Sequence, residues 1–207
     1  MRPDSIAPPL VQPIVLAAGL SRRAGDTNKL LATLDGKPVI RRTLMSLQPV
    51  FRLPPVVVTG HQAVAIGAAL DGLDYVSVHN EKFADGMASS LRTGLSALDP
   101  AAEYACICLG DMPFVTAATY QALVDAAAAA HDAVALIPSF DGRRGNPVIW
   151  RRDLFPAFND LEGDMGGRKI IQTNADQVWD VPVDDPGIFL DLDTPEALAR
   201  HGATPSA

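Results

Sequence analysis

Short apolar segments alternate along the chain with stretches in which apolar residues recur at helical spacing. Continuous apolar runs are typical of buried strands, whereas recurrence every three or four residues indicates a helix with one buried face. Strands are predicted at residues 14–17, 55–59, 75–78, 104–109, 134–137, 147–150 and 178–183. Helices are predicted at residues 38–47, 63–70, 87–98 and 116–130, and a last one begins at 194–196, where Thr194 caps it and Pro195 takes its first position.

The alternation of strands with helices predicts an α/β fold with a mostly parallel, doubly wound sheet. Ligands bind such sheets beyond the carboxyl ends of the strands. Four segments that follow predicted strands are therefore candidates, at residues 18–29, 60–61, 80–90 and 110–113. We expect one domain over residues 13–200, with a flexible lead at 1–12 and a tail at 201–207.

Composition narrows the class of protein. A chain of 207 residues with 48% hydrophobic residues can bury the core of one domain. It has no apolar run of the roughly 18–20 residues that span a membrane, and its N-terminal residues lack the apolar core of a signal peptide. No Cys or His spacing suggests zinc, and no disulfide is expected between Cys106 and Cys108. These features favour a cytoplasmic enzyme without a membrane partner.

Charge is distributed unevenly. The net charge of −7 argues against a nucleic-acid partner. Residues 22–42 nevertheless hold six basic and two acidic residues, which leaves eleven basic and twenty-two acidic residues elsewhere. A local basic stretch in an acidic protein suits a small polyanionic ligand, although a solvated basic helix face would give the same count.

The first strand leads into the segment LAAGLSRRAG (16–25), and Lys29 follows shortly after it. Small residues allow a backbone to approach phosphates closely, while Arg23 and Lys29 would supply positive charge. The segment has neither the Gly-Lys-Ser/Thr of a P-loop nor the pattern G-x-G-x-x-G. We predict a phosphate-binding loop; the alternative is an ordinary turn between a strand and a helix.

Carboxylates follow another predicted strand and recur near residue 193. Asp111 follows the apolar run 104–109, and Asp191 and Asp193 are spaced so that they would point the same way on a strand. Mg²⁺ takes one or two carboxylates together with substrate phosphates. The pattern predicts a magnesium site, whereas the alternatives are a capping role for Asp111 and helix-start charge for Asp193.

A glycine precedes the helix predicted at 87–98. Its first turn is expected to expose the hydroxyls of Ser89 and Ser90 together with free amides, beside Gly86. Such a helix start suits recognition of a base edge, which carries both donors and acceptors. By itself the segment is equally consistent with a capped helix.

Together these segments resemble the molybdenum cofactor cytidylyltransferase group of the MobA-like NTP transferase family. The resemblance implies a mixed, mainly parallel, Rossmann-like sheet with helices on both faces, as in nucleotide-diphospho-sugar transferases. One departure is Ala24, where the family usually has methionine. The resemblance rests on LAAGLSRRAG (16–25), NKLL (28–31), GKP (36–38), GMASSLRTGL (86–95), LGDMPFV (109–115), GRRGNPV (142–148), GDMGGRK (163–169) and DLDTPEAL (191–198).

The resemblance also implies roles for individual residues. Lys29, Arg23 and Asp111 would be catalytic. Asp111 and Asp193 would hold Mg²⁺, with Asp191 as a second candidate. The acceptor would contact Arg143, Asn146 and Arg168. Nucleotide would be bound by Leu16, Ala17, Ala18, Gly19, Arg23, Lys29, Gly86, Ser89 and Ser90.

The implied reaction transfers CMP from CTP to the terminal phosphate of a molybdopterin-type acceptor and releases pyrophosphate. The paired alanines before Gly19 favour CTP over GTP. A molybdenum hydroxylase is the expected recipient of the product. The alternatives are GTP as the nucleotide, another anionic acceptor such as a sugar phosphate or phospholactate, and a non-catalytic carrier of the cofactor.

Overall fold

The computed structural model describes residues 8–20, 28–130 and 132–204. Its strands are β1 (Val11–Ala17), β2 (Thr33–Leu34), β3 (Lys37–Pro38), β4 (Val56–Thr59), β5 (Val76–His79), β6 (Tyr104–Leu109), β7 (Ala135–Phe140), β8 (Arg143–Arg144), β9 (Val148–Arg151) and β10 (Val178–Pro182). Its α-helices are α1 (Val39–Leu47), α2 (Ala63–Ala69), α3 (Met87–Ser96), α4 (Ala117–Ala129), α5 (Arg168–Thr173) and α6 (Pro195–Arg200). Short 3₁₀ helices occur at Lys29–Leu31, Phe83–Asp85, Arg152–Asp160, Ala175–Gln177 and Pro186–Phe189.

The main sheet has the strand order β10-β7-β9-β6-β1-β4-β5. Parallel pairing joins β1 to β4 and β6, β4 to β5, and β7 to β10. Strand β9 is antiparallel to both of its neighbours, β6 and β7, and β8 pairs antiparallel with β7. The prediction of a mixed, mainly parallel sheet is therefore confirmed, and β9 begins at the edge where the parallel strands end.

Helices cover both faces of the sheet, as predicted. Val15 on β1 packs in a core with Leu44 of α1 and Leu123 of α4, whereas Ile14 belongs to a core on the opposite face. On that second face α3 packs closely against the sheet at Gly94. A Cβ added to Gly94 would lie only 2.5 Å from Cγ2 of Ile14. Burial on both faces explains why the central strands are continuously apolar.

The sequence-based elements are all present, with bounds that differ by at most three residues. Thr194 caps α6 as predicted, since its side chain accepts a hydrogen bond from the amide of Ala197. The expected domain limits of 13–200 stay a prediction, and regular structure extends a few residues beyond them. Strand β1 begins at Val11, inside the expected lead, and Thr204 of the expected tail pairs with Thr33. Residues 1–7 of that lead and 205–207 of that tail lie outside the described residues.

The two cysteines of the chain lie in the core, on β6. Cys106 and Cys108 are buried and free, with their Sγ atoms 3.7 Å apart. Both side chains lie on the same face of β6, as positions two apart on a strand must.

Among the helices that the structure describes, none combines the length and the apolar character needed to cross a bilayer.

Candidate active site

The loop after β6 passes directly against the end of β1. The amide of Gly110 donates to the carbonyl of Leu16 over 3.1 Å, and Thr43 Oγ1 donates to the carbonyl of Gly110 over 3.0 Å. A Cβ on Gly110 would lie 2.8 Å from both the Leu16 carbonyl oxygen and Cδ1 of Ile40. Glycine is therefore required here, and the close approach places Asp111 beside the end of β1.

Asp193 reaches Asp111 through a backbone contact between their two segments. The amide of Leu192, a fully buried residue, donates to the carbonyl of Asp111 over 3.0 Å. The expectation that Asp191 and Asp193 share a face of a strand is wrong, because residues 190–193 form no strand. The two side chains point in different directions: Asp191 is exposed, whereas Asp193 turns towards Asp111.

Lys29 connects the two carboxylates. It opens the 3₁₀ helix Lys29–Leu31, whose start is capped by Asn28, since Asn28 Oδ1 accepts a hydrogen bond from the amide of Leu30 over 3.0 Å. The Nζ atom of Lys29 donates both to Oδ2 of Asp111 and to Oδ1 of Asp193. Three residues singled out by the sequence are thus brought together, and one ammonium bridges two acids.

Burial shifts the pKa values of the charged groups in this cluster. Asp111 is only 7% exposed. Its burial raises the pKa of Asp111 above the ordinary value, although the ammonium of Lys29 opposes the rise. Burial by itself lowers the pKa of Lys29, but the charges and hydrogen bonds of Asp111 and Asp193 outweigh it and raise that pKa. A buried carboxylate needs a cation as its neighbour, and here Lys29 provides one.

The two carboxylates also fit a divalent cation. Oδ2 of Asp111 and Oδ1 of Asp193 approach one positively charged atom, so both oxygens can serve a single cation. Mg²⁺ is bound by one or two carboxylates, and phosphates or waters complete its coordination. Within the described ranges, no group of three or more His, Cys, Asp or Glu side chains could hold a metal ion.

The predicted phosphate loop is described only in part. Ala17 and Ala18 are buried, Leu16 is half-buried, and Gly19 is exposed with open space where a side chain would be. The carbonyl of Ala18 accepts a hydrogen bond from the amide of His61 over 3.3 Å, which holds the loop against the end of β4. Arg23, with its neighbours 21–27, lies outside the described residues.

The hydroxyls of Ser89 and Ser90 are turned inward. Both serines are about 5% exposed or less, and Asn80 Nδ2 donates to their Oγ atoms over 2.8 and 3.0 Å. Ser89 Oγ also lies 2.8 Å from the carbonyls of Lys82 and Gly86, either of which can accept its proton. The expectation of exposed hydroxyls is therefore wrong, because the loop before α3 uses them. The structural role of Asn80 was not anticipated.

The first amides of α3 already have partners. The amide of Met87 donates to Oδ1 of Asp164 over 3.3 Å, and that of Ala88 donates to the carbonyl of Gly163 over 2.9 Å. Free amides were expected at this helix start, but the loop around Gly163 occupies these two. Gly86 has a φ of +99° and lies directly against Gly163.

A cavity of about 980 Å³ opens beside these elements. Its floor is apolar and its rim carries cations. The apolar lining includes Leu16, Leu91, Ile107, Leu109, Trp150 and Phe158. The polar lining includes Arg144, Asn146, Asp164, Arg168 and Lys169. This combination suits a ligand with a flat or apolar body and an anionic group.

Two of the three predicted acceptor residues, Asn146 and Arg168, line this cavity. The third, Arg143, is not among its lining residues; its guanidinium lies 4.6 Å from the ring centre of Phe189. Its neighbour Arg144 does line the cavity, and its Nε donates to Asp180 Oδ1 over 2.6 Å. Successive residues on a strand point to opposite sides, which separates the two arginines of β8.

Comparison with known proteins places the chain in a family. Residues 13–178 match the family model for the MobA-like NTP transferase domain. The chain belongs to the MobA-like NTP transferase family. The match contains Lys29 and Asp111, and Asp193 lies beyond it.

Three relatives show the range of proteins that this MobA-like NTP transferase resembles. The crystal structure of Rv0371c from Mycobacterium tuberculosis is 30% identical, with a TM-score of 0.78 over 92% of this chain and 97% of that one. A manganese complex of Rv0371c is 28% identical, with a TM-score of 0.76 over 93% of this chain and 97% of that one. Nicotine blue oxidoreductase from Paenarthrobacter nicotinovorans is 26% identical over 93% of this chain and 96% of its own. The bifunctional protein GlmU from Sphingopyxis alaskensis is 32% identical over 62% of this chain. The match spans only 28% of GlmU.

Proposed function

We propose that this nucleotidyltransferase transfers CMP from CTP to the terminal phosphate of molybdopterin or Mo-molybdopterin. The products would be the cytosine dinucleotide form of the cofactor and pyrophosphate. One observation carries the proposal: Lys29, Asp111 and Asp193 converge at the carboxyl edge of the sheet, beside a cavity with a cationic rim. The paired alanines before Gly19 favour CTP through the resemblance described above.

The residues of the chain would act mainly by positioning and by neutralising charge. A phosphate monoester has a second pKa near ~6, so the acceptor is already dianionic at neutral pH and needs no strong general base. Its oxygen attacks the α-phosphorus of CTP, the bond to the bridging oxygen breaks, and pyrophosphate leaves with that electron pair. Lys29 and Arg23 would offset the negative charge on the leaving group.

Asp111 and Asp193 would hold Mg²⁺. When bound, the ion neutralises phosphate charge. A manganese complex of the relative Rv0371c supports a divalent cation in this fold. On the nucleotide side, Leu16, Ala17, Ala18 and Gly19 would line the triphosphate. Gly86, before α3, and the buried Ser89 and Ser90, in its first turn, would shape the base site.

The acceptor would occupy the 980 Å³ cavity. Trp150 and Phe158, whose rings lie 5.1 Å apart edge to face, give it an apolar wall suited to a ring system. Asn146 and Arg168 would contact the acceptor's polar groups, and Arg144 adds charge at the rim. Arg143, also implied by the resemblance, lies over Phe189 and outside the cavity lining, so we assign it no contact with the acceptor. A molybdenum hydroxylase would receive the product.

A second candidate function follows from the full-length match to nicotine blue oxidoreductase. A chain with that activity would oxidise or reduce nicotine blue, and no nucleoside triphosphate would be cleaved. The converging acids and lysine favour nucleotidyl transfer, since they suit a divalent cation and a polyphosphate, neither of which the redox reaction requires.

The deciding experiment incubates the purified protein and Mg²⁺ with CTP or GTP and with molybdopterin, Mo-molybdopterin, a sugar phosphate or phospholactate. Pyrophosphate release and the mass of the product are measured, and nicotine blue with a nicotinamide donor is tested in parallel. We expect pyrophosphate and a cytosine dinucleotide only with CTP and a molybdopterin acceptor. Product with GTP or another acceptor would correct the substrate, and tight cofactor binding without pyrophosphate would instead indicate a carrier.

A further inference from the structure

We propose that the ammonium of Lys29 competes with the divalent cation for the same two carboxylates, and that the triphosphate relieves this competition by taking up the ammonium. Metal and nucleotide would then bind cooperatively, and metal alone would bind weakly. The inference rests on the proposed function, which gives the metal to Asp111 and Asp193. It adds a role for Lys29 besides triphosphate binding.

The geometry of the three side chains carries the argument. Nζ of Lys29 donates to one carboxylate oxygen of Asp111 and to one of Asp193, so it lies between them. A Mg²⁺ ion bound by the same two oxygens would lie at about 2.0–2.1 Å from each, within the volume that Nζ occupies. One cation can take this position at a time.

The carboxylates are held together independently of Lys29. The hydrogen bond from the amide of Leu192 to the carbonyl of Asp111 joins their backbones. Because Asp111 is buried, losing the ammonium leaves an acid that water solvates poorly. Without Lys29, the pair would therefore attract a divalent cation more strongly.

Lys29 can leave the carboxylates without disturbing its backbone. The Asn28 cap and the buried Leu30 fix the 3₁₀ helix, whereas four methylene groups separate Nζ from the main chain. A bound triphosphate gives the ammonium a new anionic partner. Each ligand then favours the other, and this coupling is reciprocal.

Binding of Mn²⁺ to the full-length protein tests the inference. Free Mn²⁺ is measured by electron paramagnetic resonance, with and without a non-hydrolysable CTP analogue. Wild type is compared with Lys29→Met, with Lys29→Arg, which keeps a cation, and with Lys37→Met, which removes an exposed lysine. Circular dichroism checks that each variant is folded.

We expect Lys29→Met to bind Mn²⁺ alone about tenfold more tightly than wild type and to lose most of the enhancement by the analogue. Lys29→Arg and Lys37→Met should bind Mn²⁺ alone as weakly as wild type does. The same or weaker binding of Mn²⁺ alone by Lys29→Met would overturn the inference. If Lys29→Met does not fold, the other variants decide the matter. The inference is supported if the analogue strengthens Mn²⁺ binding to Lys29→Arg as much as it does to wild type. It is refuted if wild type binds Mn²⁺ equally tightly with and without the analogue.

Failure of the proposed function would give a different result. If Asp111→Ala binds Mn²⁺ in the presence of the analogue as well as wild type does, the metal assignment itself is wrong. If that variant loses Mn²⁺ while Lys29→Met behaves as wild type does, the metal site stands and only the competition is refuted.

Discussion

Gly86 lies against the backbone of Gly163, so closely that a Cβ on Gly86 would be 2.4 Å from the carbonyl carbon of Gly163. Two hydrogen bonds reinforce the contact, from the amides of Met87 and Ala88 to Asp164 and Gly163. The loop that borders the acceptor cavity is thereby joined to the start of α3, next to the proposed nucleotide site.

Gly86→Ala tests this contact. The φ of +99° disfavours any residue with a Cβ, and the new methyl group would collide with a backbone that cannot move aside alone. We expect the free energy of unfolding to fall by about 3 kcal/mol, measured by urea denaturation. The control is Gly72→Ala, where φ is +76° but the space is open, and a loss of only about 1 kcal/mol is expected. Equal losses in both variants would contradict the packing argument.

Ser89→Ala should act on stability. Removing its hydroxyl takes one acceptor from Asn80 and leaves the carbonyls of Lys82 and Gly86 without this donor, in a buried loop. We expect the free energy of unfolding to fall by about 1–3 kcal/mol. Ser96→Ala, which removes an exposed hydroxyl, is the control and should change it by less than about 0.5 kcal/mol. An unchanged stability together with a raised KM for CTP would show that Ser89 contacts the nucleotide directly.

The prediction of elements succeeded because the apolar periodicity was strong, as in β6, whose bounds the sequence predicts without error. Convergence of Lys29 with Asp111 followed from strand ends sharing one edge of the sheet. The sequence does not predict that Ser89 and Ser90 turn inward. Helical spacing indicates which face of a helix is buried, but it does not identify the hydrogen-bond partner of a hydroxyl. Similarly, a two-residue strand such as β8 has no pattern that tells which arginine faces the cavity, and the segment at Asp191 has no backbone regularity to read.

Asp111→Ala should lose most of the turnover while the protein remains folded, since it removes a proposed metal ligand. We expect kcat to fall by at least about 100-fold at saturating Mg²⁺, a loss of about 2.7 kcal/mol of transition-state stabilisation. Pyrophosphate release measures the rate, and circular dichroism monitors the fold. Asp191→Ala removes an exposed acid nearby and should retain wild-type kcat. A wild-type rate for Asp111→Ala would exclude Asp111 from the metal site.

Arg168→Ala should raise the KM for the acceptor about tenfold or more, because a hydrogen bond between charged groups contributes about 1.5–3 kcal/mol. Arg143→Ala is the matched control. Its guanidinium lies over Phe189, so we expect a change in the acceptor KM of less than about twofold. Initial rates at varied acceptor and fixed CTP measure both constants. Reversal of the two effects would show that Arg143 contacts the acceptor and that Arg168 only borders the cavity.

The convergence of Lys29, Asp111 and Asp193 has a consequence for how the protein is made. Lys29 and Asp193 are 164 positions apart in the chain, so Lys29 leaves the ribosome long before Asp193 is synthesised. While the sheet assembles around β1 and β6, Asp111 can already meet Lys29, but the second acid is still unsynthesised. A nascent or prematurely terminated chain therefore lacks the paired acids, and the capacity to cleave a triphosphate would arise only when synthesis has passed residue 193.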